Sequence, residues 1–189
     1  QAVVPSGSVV SNAHRVADIQ PGDAGSNPSN LTAIGDTLFF KADDGKTGAE
    51  IWATDPPYKS AYQVADINPW GTSSPGELTA IGNTLFFKAD DGASGSEVWK
   101  TSPPYTSASL VSDIWNGNAG SDPKELISIG WTLLFTADDG SGREVWKSEP
   151  PYTAASTKMV RDIYPGGGDA EPKELTRVDN KLFFTAFDG

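Results

Sequence analysis

The stretch Glu77–Lys100, ELTAIGNTLFFKADDGASGSEVWK, decides the fold because the chain repeats it with small changes. Apolar and polar residues alternate along it in short runs, which is the pattern of half-buried β-strands. Turn residues separate these runs: Gly82-Asn83 is a tight turn, and Pro103-Pro104 ends the third run because proline cannot donate to a strand ladder. The strands predicted for this repeat are Leu78–Ile81, Thr84–Ala89, Glu97–Thr101 and Leu110–Ile114.

Copies of this unit follow one another along the chain. The segment Leu-Phe-Phe, once Leu-Leu-Phe, recurs in steps of 47, 48 and 49 residues, starting at Leu38, Leu85, Leu133 and Leu182. The segment Val-x-Asp-Ile starts at Val16, Val64, Val111 and Val160. Four strands in about 47 residues match one blade of a β-propeller. The number of repeats therefore predicts a small propeller with four blades.

The fourth copy is divided between the two ends of the sequence. The unit Glu-[Ile/Val]-Trp ends at Trp52, Trp99 and Trp146 and has no fourth example. In the first two repeats the Val-x-Asp-Ile segment begins 12 residues after the tryptophan, from Trp52 to Val64 and from Trp99 to Val111. Counting 12 residues back from Val16 reaches Val4. Ala2-Val3-Val4 thus stands in the register of Glu97-Val98-Trp99. We expect residues 1–19 to supply the outer half of the last blade and residues 172–189 its inner half.

The fold class predicted is all-β: one propeller domain over residues 1–189, with four antiparallel strands per blade and the last blade completed by the N-terminal segment. The other repeats lie at about 31–67, 78–114 and 126–163. Pairing of terminal strands within one blade closes the ring and removes exposed sheet edges. A sandwich of short strands does not explain the recurring loops, and an open solenoid does not explain the divided repeat.

The repeat resembles a known family. Glu144-Val145-Trp146-Lys147, then Val-x-Asp-Ile-x-Pro-Gly and Leu-Thr-x-Ile-Gly-x-Thr-Leu-Phe-Phe, is similar to the bacterial repeats named for their Glu-Leu-Trp-x-x-Asp-Gly-Thr motif. The resemblance covers nearly the whole chain, but Pro-Pro-Tyr corners such as Pro56-Pro57-Tyr58 stand in place of Asp-Gly-Thr. It implies a secreted or surface-attached protein with propeller-like blades and no established catalytic residues. The blade pattern also resembles hemopexin-like propellers, which favours the Leu-Thr-Ala-Ile strand as innermost.

The composition excludes several classes of function. The 189 residues carry 14 basic and 25 acidic side chains, and the net charge of −11 opposes binding to nucleic acid or anionic lipid. There is no cysteine, so thiol chemistry is excluded. The single histidine, His14, excludes a multi-histidine metal site and is expected at the surface. No apolar run is long enough to span a membrane, and no catalytic motif is present.

A carboxylate or an amide precedes the first strand of each repeat, at Asn30, Glu77, Glu125 and Glu174. If these strands line the central channel, the side chains form a ring at its mouth, where the carboxylates repel each other unless they hold a cation. A Ca²⁺ or another cation in the channel is one hypothesis, and glutamates that point into solvent are the alternative. Asn30 also begins the sequon Asn30-Leu31-Thr32, so it is a candidate for glycosylation in a host that glycosylates.

The recurring Asp-Asp-Gly loops offer a second place for a cation. Asp43-Asp44-Gly45, followed by Glu50, has hard oxygen ligands of the kind that Ca²⁺ prefers. The spacing lacks the Asp-x-Asp-x-Asp-Gly pattern of a dedicated calcium loop. We therefore favour a hairpin loop in which aspartate accepts hydrogen bonds from its own backbone and glycine takes a positive φ.

Aromatic side chains that break the repeat are candidates for ligand binding, because packing cannot require them in every blade. They are Trp70, Trp115, Trp131 and Tyr164, all in predicted turns or loops. Exposed aromatic rings anchor protein interfaces and stack on sugars. Ordinary packing under a neighbouring blade is the alternative.

These observations predict a non-enzymatic extracellular protein that acts as a binding or structural module and recognises glycan or protein through loops on a propeller face. The alternative is a self-assembling subunit of an extracellular fibril or surface layer, joined by strand exchange or propeller stacking. A glycosidase is a third hypothesis, but the acidic residues recur symmetrically and no single pair stands out. Gln1 fits an N-terminus left by signal-peptide cleavage, and so favours secretion.

Overall fold

The computed structural model describes residues 13–189, and this part of the chain is all-β. It forms fourteen strands in antiparallel sheets, together with one short 3-10 helix at Ala154–Ser156. Three sheets have four strands each, ordered as in the chain, and the fourth sheet has two. Each sheet is built from one copy of the repeat.

The first sheet contains β1 to β4, at Ser29–Ile34, Thr37–Asp43, Ala49–Thr54 and Tyr62–Ala65. The second contains β5 to β8, at Gly76–Ile81, Thr84–Asp90, Ser96–Thr101 and Ser109–Ser112. The third contains β9 to β12, at Lys124–Ile129, Thr132–Asp138, Arg143–Ser148 and Thr157–Arg161. The fourth contains β13 and β14, at Lys173–Val178 and Lys181–Thr185. The strands predicted for the second repeat are confirmed to within two residues at each end.

The same register joins the strands of the four-stranded sheets, because the same residues recur at the same spacing. In the first three sheets an aromatic residue of the second strand faces the motif tryptophan of the third, in the pairs Phe40–Trp52, Phe87–Trp99 and Phe135–Trp146. The first strand of every sheet is irregular near its start, where one residue takes a φ of 55° to 60°. These residues are Asn30, Glu77, Glu125 and Glu174.

Consecutive sheets pack face to face through their apolar residues. Phe39 of the first sheet lies in one buried cluster with Phe87 of the second, and Phe86 lies in another with Phe135 of the third. The first strands of neighbouring sheets also contact each other: β1 contacts β5, β5 contacts β9, and β9 contacts β13. These contacts support the Leu-Thr-Ala-Ile strand as the innermost of each sheet.

The fourth sheet is incomplete within residues 13–189, where no strand pairs with the outer edge of β14. The predicted completion by residues 1–19 falls mostly on residues 1–12, which lie outside the described part of the chain. Residues 13–28 form no strand. Ile19 packs against the cluster of Phe40 and Trp52 in the first sheet, as its equivalent Ile67 packs with Phe87 of the second sheet. In this part of the chain no contact comparable to those between the other innermost strands joins β13 to β1, so closure of the ring stays a prediction.

Residues 13–189 contain no helix with the length and apolar character needed to cross a membrane.

Candidate functional site

A buried glutamate fastens each of the first three sheets to the connection that follows it. These are the glutamates of the Glu-[Ile/Val]-Trp units, and they are 0 to 2% exposed: Glu50, Glu97 and Glu144. Glu97 accepts hydrogen bonds from the backbone N–H groups of Ser121 (2.9 Å) and Trp115 (3.3 Å) and from the Ser121 hydroxyl (2.6 Å). Glu50 accepts equivalent bonds from the backbone N–H (3.0 Å) and hydroxyl (2.5 Å) of Ser73. Bonds to a charged acceptor are among the stronger ones, so these contacts order the inter-sheet connections.

The third of these contacts is incomplete. Ala170 is fully buried at the position that Ser73 and Ser121 occupy in the earlier repeats. Glu144 accepts a hydrogen bond from the backbone N–H of Ile163 at 3.2 Å, but its buried Oε1 atom has no hydrogen-bond partner among residues 13–189. A buried polar atom without a partner costs about 1–3 kcal/mol. The connection to the fourth sheet is therefore held less firmly than the other two.

Ala170→Ser is expected to raise the free energy of unfolding by about 1 kcal/mol, because the new hydroxyl can donate to Glu144 as Ser121 does to Glu97. Urea titration followed by tryptophan fluorescence measures the change. Ala170→Val is the matched control, since it adds volume at a buried position without a donor and is expected to destabilise. No gain from serine would show that this oxygen already has a donor.

Burial raises the pKa of Glu50, Glu97 and Glu144 above the ordinary value of 4.5. The folded state then binds these protons more tightly than the unfolded state. Their contribution to stability is complete below about pH 4.5 and is lost as the pH rises through the raised pKa values. We expect the free energy of unfolding to fall over this range, and to fall less steeply in Glu97→Gln, which cannot titrate there. Urea titrations at a series of pH values measure both slopes, and equal slopes would contradict the assignment.

The predicted ring residues lie on consecutive innermost strands, at Asn30, Glu77, Glu125 and Glu174. Two of the carboxylates bridge neighbouring sheets: Glu77 accepts the backbone N–H of Glu125 at 2.7 Å, and Glu125 accepts that of Leu175 at 2.6 Å. Asn30 is exposed, and its side-chain amide donates to the carbonyl of Pro75 at 3.4 Å. The middle glutamates therefore link sheets through the backbone. Glycosylation of Asn30 stays a prediction.

Within residues 13–189, no three His, Asp or Glu side chains lie close enough together to hold a metal ion. The structure thus does not gather the ring residues into such a group, and the channel cation stays a hypothesis. The Asp-Asp-Gly loop closes on its own backbone, since Asp43 accepts the N–H of Gly45 at 2.7 Å and Asp44 accepts those of Lys46 and Thr47 at 2.9 Å. This geometry supports the hairpin-loop interpretation.

The aromatic candidates do not share one surface. Trp131 lies in the turn between β9 and β10, whereas Trp70, Trp115 and Tyr164 lie in the connections that lead from one sheet to the next. The turn follows the C-terminal end of the first strand of a sheet, whereas each connection leads into the N-terminal end of such a strand. The structure therefore separates Trp131 from the other three residues.

Packing accounts for two of these side chains. Trp115 lies against Gly140, where a side chain would press on the indole ring. Tyr164 contacts Phe187 edge to face, with ring centroids 5.4 Å apart. Trp131 is 65% exposed, and Trp70 is 93% exposed. Of the four candidates, Trp70 is therefore the one whose ring is almost wholly available to a ligand.

The outer face of the fourth sheet is uncovered. Phe39 is fully buried against the next sheet, but Phe183 at the equivalent position is 53% exposed. Val178 is 52% exposed, whereas its equivalent Ile34 is 8% exposed. The repeat alone gave no sign of this difference, because all these positions are apolar. The fourth sheet thus presents an apolar face and an unpaired edge within the described residues.

The opposite face of the first sheet is open as well. Leu31 is 56% exposed, whereas its equivalents Leu126 and Leu175 are each 9% exposed. Residues 15–28 cover part of this face and line a cavity of about 630 Å³, open to solvent, beside Leu38 and Phe40. Within residues 13–189, the first and fourth sheets therefore each present an apolar face.

No protein family model matches the sequence, and no curated protein matches it significantly. The resemblance to the Glu-Leu-Trp repeat family accordingly stays a prediction.

Solved structures of propeller-type proteins share the fold. A puromycin hydrolase is 12% identical with a TM-score of 0.55, over 84% of this chain and 25% of its own. A prolyl endopeptidase is 14% identical with a TM-score of 0.53, over 80% of this chain and 21% of its own. A protein described as TolB from Agrobacterium tumefaciens is 11% identical with a TM-score of 0.51, over 89% of this chain and 57% of its own. The chain thus spans at most just over half of these proteins, and the likeness shows a propeller-like all-β fold.

Proposed function

We propose that the protein is a non-enzymatic structural module of the cell exterior that assembles with copies of itself by strand exchange. The observation that carries this proposal is the two-stranded fourth sheet, which follows three sheets of four strands each. Within residues 13–189 the outer edge of β14 has no partner. An unpaired edge of this kind is a template for an added strand, which converts the fourth sheet into the fourth blade of a propeller.

The added strand comes from the N-terminal segment of a neighbouring copy. In the third sheet, Thr136 of the second strand faces Val145 of the third. Transferred to the fourth sheet, this register sets Thr185 opposite Val3. Strand exchange of this type joins copies through main-chain hydrogen bonds, and side chains on alternate positions supply specificity.

The chemistry of the carboxylates supports a structural rather than a catalytic role. Glu97 and Glu125 both accept backbone N–H groups, which leaves them engaged in joining parts of the fold. A hydrolase would need an asymmetric pair of carboxyl groups facing a common cleft. The location outside the cell rests on the resemblance to secreted repeat proteins.

Cysteine pairing tests the strand exchange cleanly, because the chain has no cysteine of its own. Chains with Val3→Cys are mixed with chains carrying Thr185→Cys, oxidised, and separated on a non-reducing gel. Exchange between copies predicts a disulfide-linked dimer in the mixture. Trp131→Cys replaces Thr185→Cys in the control mixture, which is expected to stay unlinked because Trp131 lies in the turn between β9 and β10 of the third sheet.

A double variant carrying Val3→Cys and Thr185→Cys distinguishes the two ways of completing the sheet. Exchange between copies gives a ladder of linked species that grows with protein concentration. A linked monomer at every concentration would overturn the exchange and would favour a propeller closed within one chain.

Recognition of a glycan or a surface protein is a second candidate function, favoured by the 93% exposure of Trp70. The backbone N–H of Trp70 donates to the Asn68 side chain at 3.2 Å, which fixes the turn that presents the ring. Exposed tryptophan stacks well on the apolar face of a sugar. A glycan array probed with the wild type, Trp70→Ala and Trp131→Ala tests this role. Binding lost only in Trp70→Ala supports it, and an array without binding by the wild type removes glycan as the ligand.

A further inference from the structure

An aromatic contact recurs wherever one complete sheet packs on the next. The Phe39 ring meets the Tyr105 ring edge to face with centroids 4.8 Å apart, and Phe86 meets Tyr152 in the same way at 4.7 Å. Each contact joins a phenylalanine of one sheet to the Pro-Pro-Tyr corner of the following sheet. Because the repeat places one such corner in each of the first three sheets, Tyr58 is the corner tyrosine that has no preceding sheet within the described residues.

Tyr58 is held as its equivalents are, but its ring is less covered. Its hydroxyl donates to the carbonyl of Asp36 at 2.9 Å, just as the Tyr105 hydroxyl donates to that of Asn83 at 2.9 Å. Tyr105 and Tyr152 are each 9% exposed, whereas Tyr58 is only half-buried. The hydrogen bond therefore fixes the orientation of the Tyr58 ring. Within residues 13–189, however, no phenylalanine packs on this ring as Phe39 packs on Tyr105.

An aliphatic contact beside this aromatic one also has only one of its two sides at each open face. Leu78 of the second sheet packs against the cluster that contains Ile34 and Phe39 of the first. Leu31 is the equivalent of Leu78, and Val178 with Phe183 are the equivalents of Ile34 and Phe39. The two open faces of the chain thus carry the two halves of a contact that is complete between the first and second sheets.

We propose that the face around Val178 and Phe183 of one copy docks on the face around Leu31 and Tyr58 of a second copy, with Phe183 against Tyr58. The inference deepens the proposed self-assembly by naming the side-chain surfaces that meet. Because the two faces differ, the contact is heterologous, and it propagates head to tail unless it closes into a ring.

Charge favours the same pairing. The hairpin at residues 173–185 carries three basic and two acidic side chains, a net charge of +1, although the whole chain has a net charge of −11. The first repeat, residues 31–67, carries three basic and six acidic side chains, a net charge of −3. Opposite net charges steer two surfaces together and disfavour the pairing of like ends.

The test uses full-length chains with single cysteines. Chains carrying Tyr58→Cys are mixed with chains carrying Phe183→Cys and treated with a short bis-maleimide. Docking predicts a linked dimer in the mixture and none with either variant alone. Trp131→Cys replaces Tyr58→Cys in the control mixture, since Trp131 is exposed but lies on neither face. No linked dimer in the test mixture, or linkage confined to single chains in the double variant, would overturn the docking.

Sedimentation equilibrium provides a second readout that does not depend on a crosslinker. Phe183→Ser is expected to weaken association about tenfold or more, since the loss of a central aromatic anchor commonly costs an interface that much. The variant should fold normally, because the ring is 53% exposed in the single chain. Trp131→Ser is the control and is expected to associate like the wild type. Equal association of all three proteins would overturn the proposal.

The outcomes separate this inference from the strand exchange. Linkage between Val3→Cys and Thr185→Cys chains without linkage between Tyr58→Cys and Phe183→Cys chains keeps the exchange and overturns the docking. The reverse result supports the docking and overturns the exchange.

Discussion

Replacing Phe86 by alanine is expected to lower the free energy of unfolding by about 3–5 kcal/mol. The ring is fully buried between the second and third sheets and contacts Tyr152 edge to face at 4.7 Å. Its removal leaves a cavity that neighbouring side chains cannot fill. The same change at Phe183 is expected to cost less than about 1 kcal/mol in the unassociated chain, because that ring is 53% exposed.

Urea titrations at low protein concentration measure both variants against the wild type. Phe39→Ala is a useful companion, since Phe39 is also fully buried and contacts a corner tyrosine. It should lose about as much stability as Phe86→Ala. A loss at Phe183 as large as that at Phe86 would show that the ring is covered within a single chain. That result would contradict the open face on which the docking proposal rests.

Replacing Glu97 by alanine is expected to lower the free energy of unfolding by about 3 kcal/mol, because buried donors lose their acceptor. These donors are the backbone N–H groups of Ser121 and Trp115 and the hydroxyl of Ser121. Glu144→Ala is expected to cost about half as much, since its connection lacks the serine hydroxyl and one carboxylate oxygen has no partner. Equilibrium denaturation of the two variants at one pH measures the difference.

The serine hydroxyl can be tested separately from the carboxylate. Ser121→Ala should lose part of the stability that Glu97→Ala loses, and the combined variant should lose less than the sum, because both changes break the same contact. Equal losses at Glu97 and Glu144 would contradict the assigned difference between the two connections.

Both comparisons bear on how the molecule is held together. The first three sheets are joined to their neighbours by buried aromatic rings and by buried glutamates, whereas the fourth sheet has a weaker connection and an uncovered face. We therefore expect a contact from outside residues 13–189 to stabilise the fourth sheet more than any other part of the chain. This is the physical reason for placing the assembly interface there.

The sequence predicted the strands well because strand and turn are encoded locally. Alternation in Thr84–Ala89 and the turn at Gly82-Asn83 lie within a few residues of each other, and the structure extends this strand by one residue. The fourth strand of the second repeat ends at Ser112 rather than at Ile114. The chain turns away there because the following connection supplies backbone N–H groups to buried Glu97.

The candidate site was predicted less completely. The ring residues were identified by their position, but the sequence could not show that Glu77 accepts the N–H of Glu125, which lies 48 residues away. Nor could it distinguish Trp70 from Trp115, since both lie in loops and only packing on Gly140 makes the second one structural. Exposure depends on which segment passes over a side chain, and that segment comes from another repeat.

What the sequence determined by itself was the repeat: its period, its strands and turns, and the apolar positions between sheets, because these follow from short-range alternation and spacing. The tertiary structure alone decided which of these equivalent positions are covered. Phe39, Phe86 and Phe183 occupy the same position in their copies of the repeat, yet the first two are fully buried and the third is 53% exposed. A side chain at this position is buried only when the next sheet packs on it, and within residues 13–189 no sheet follows the fourth.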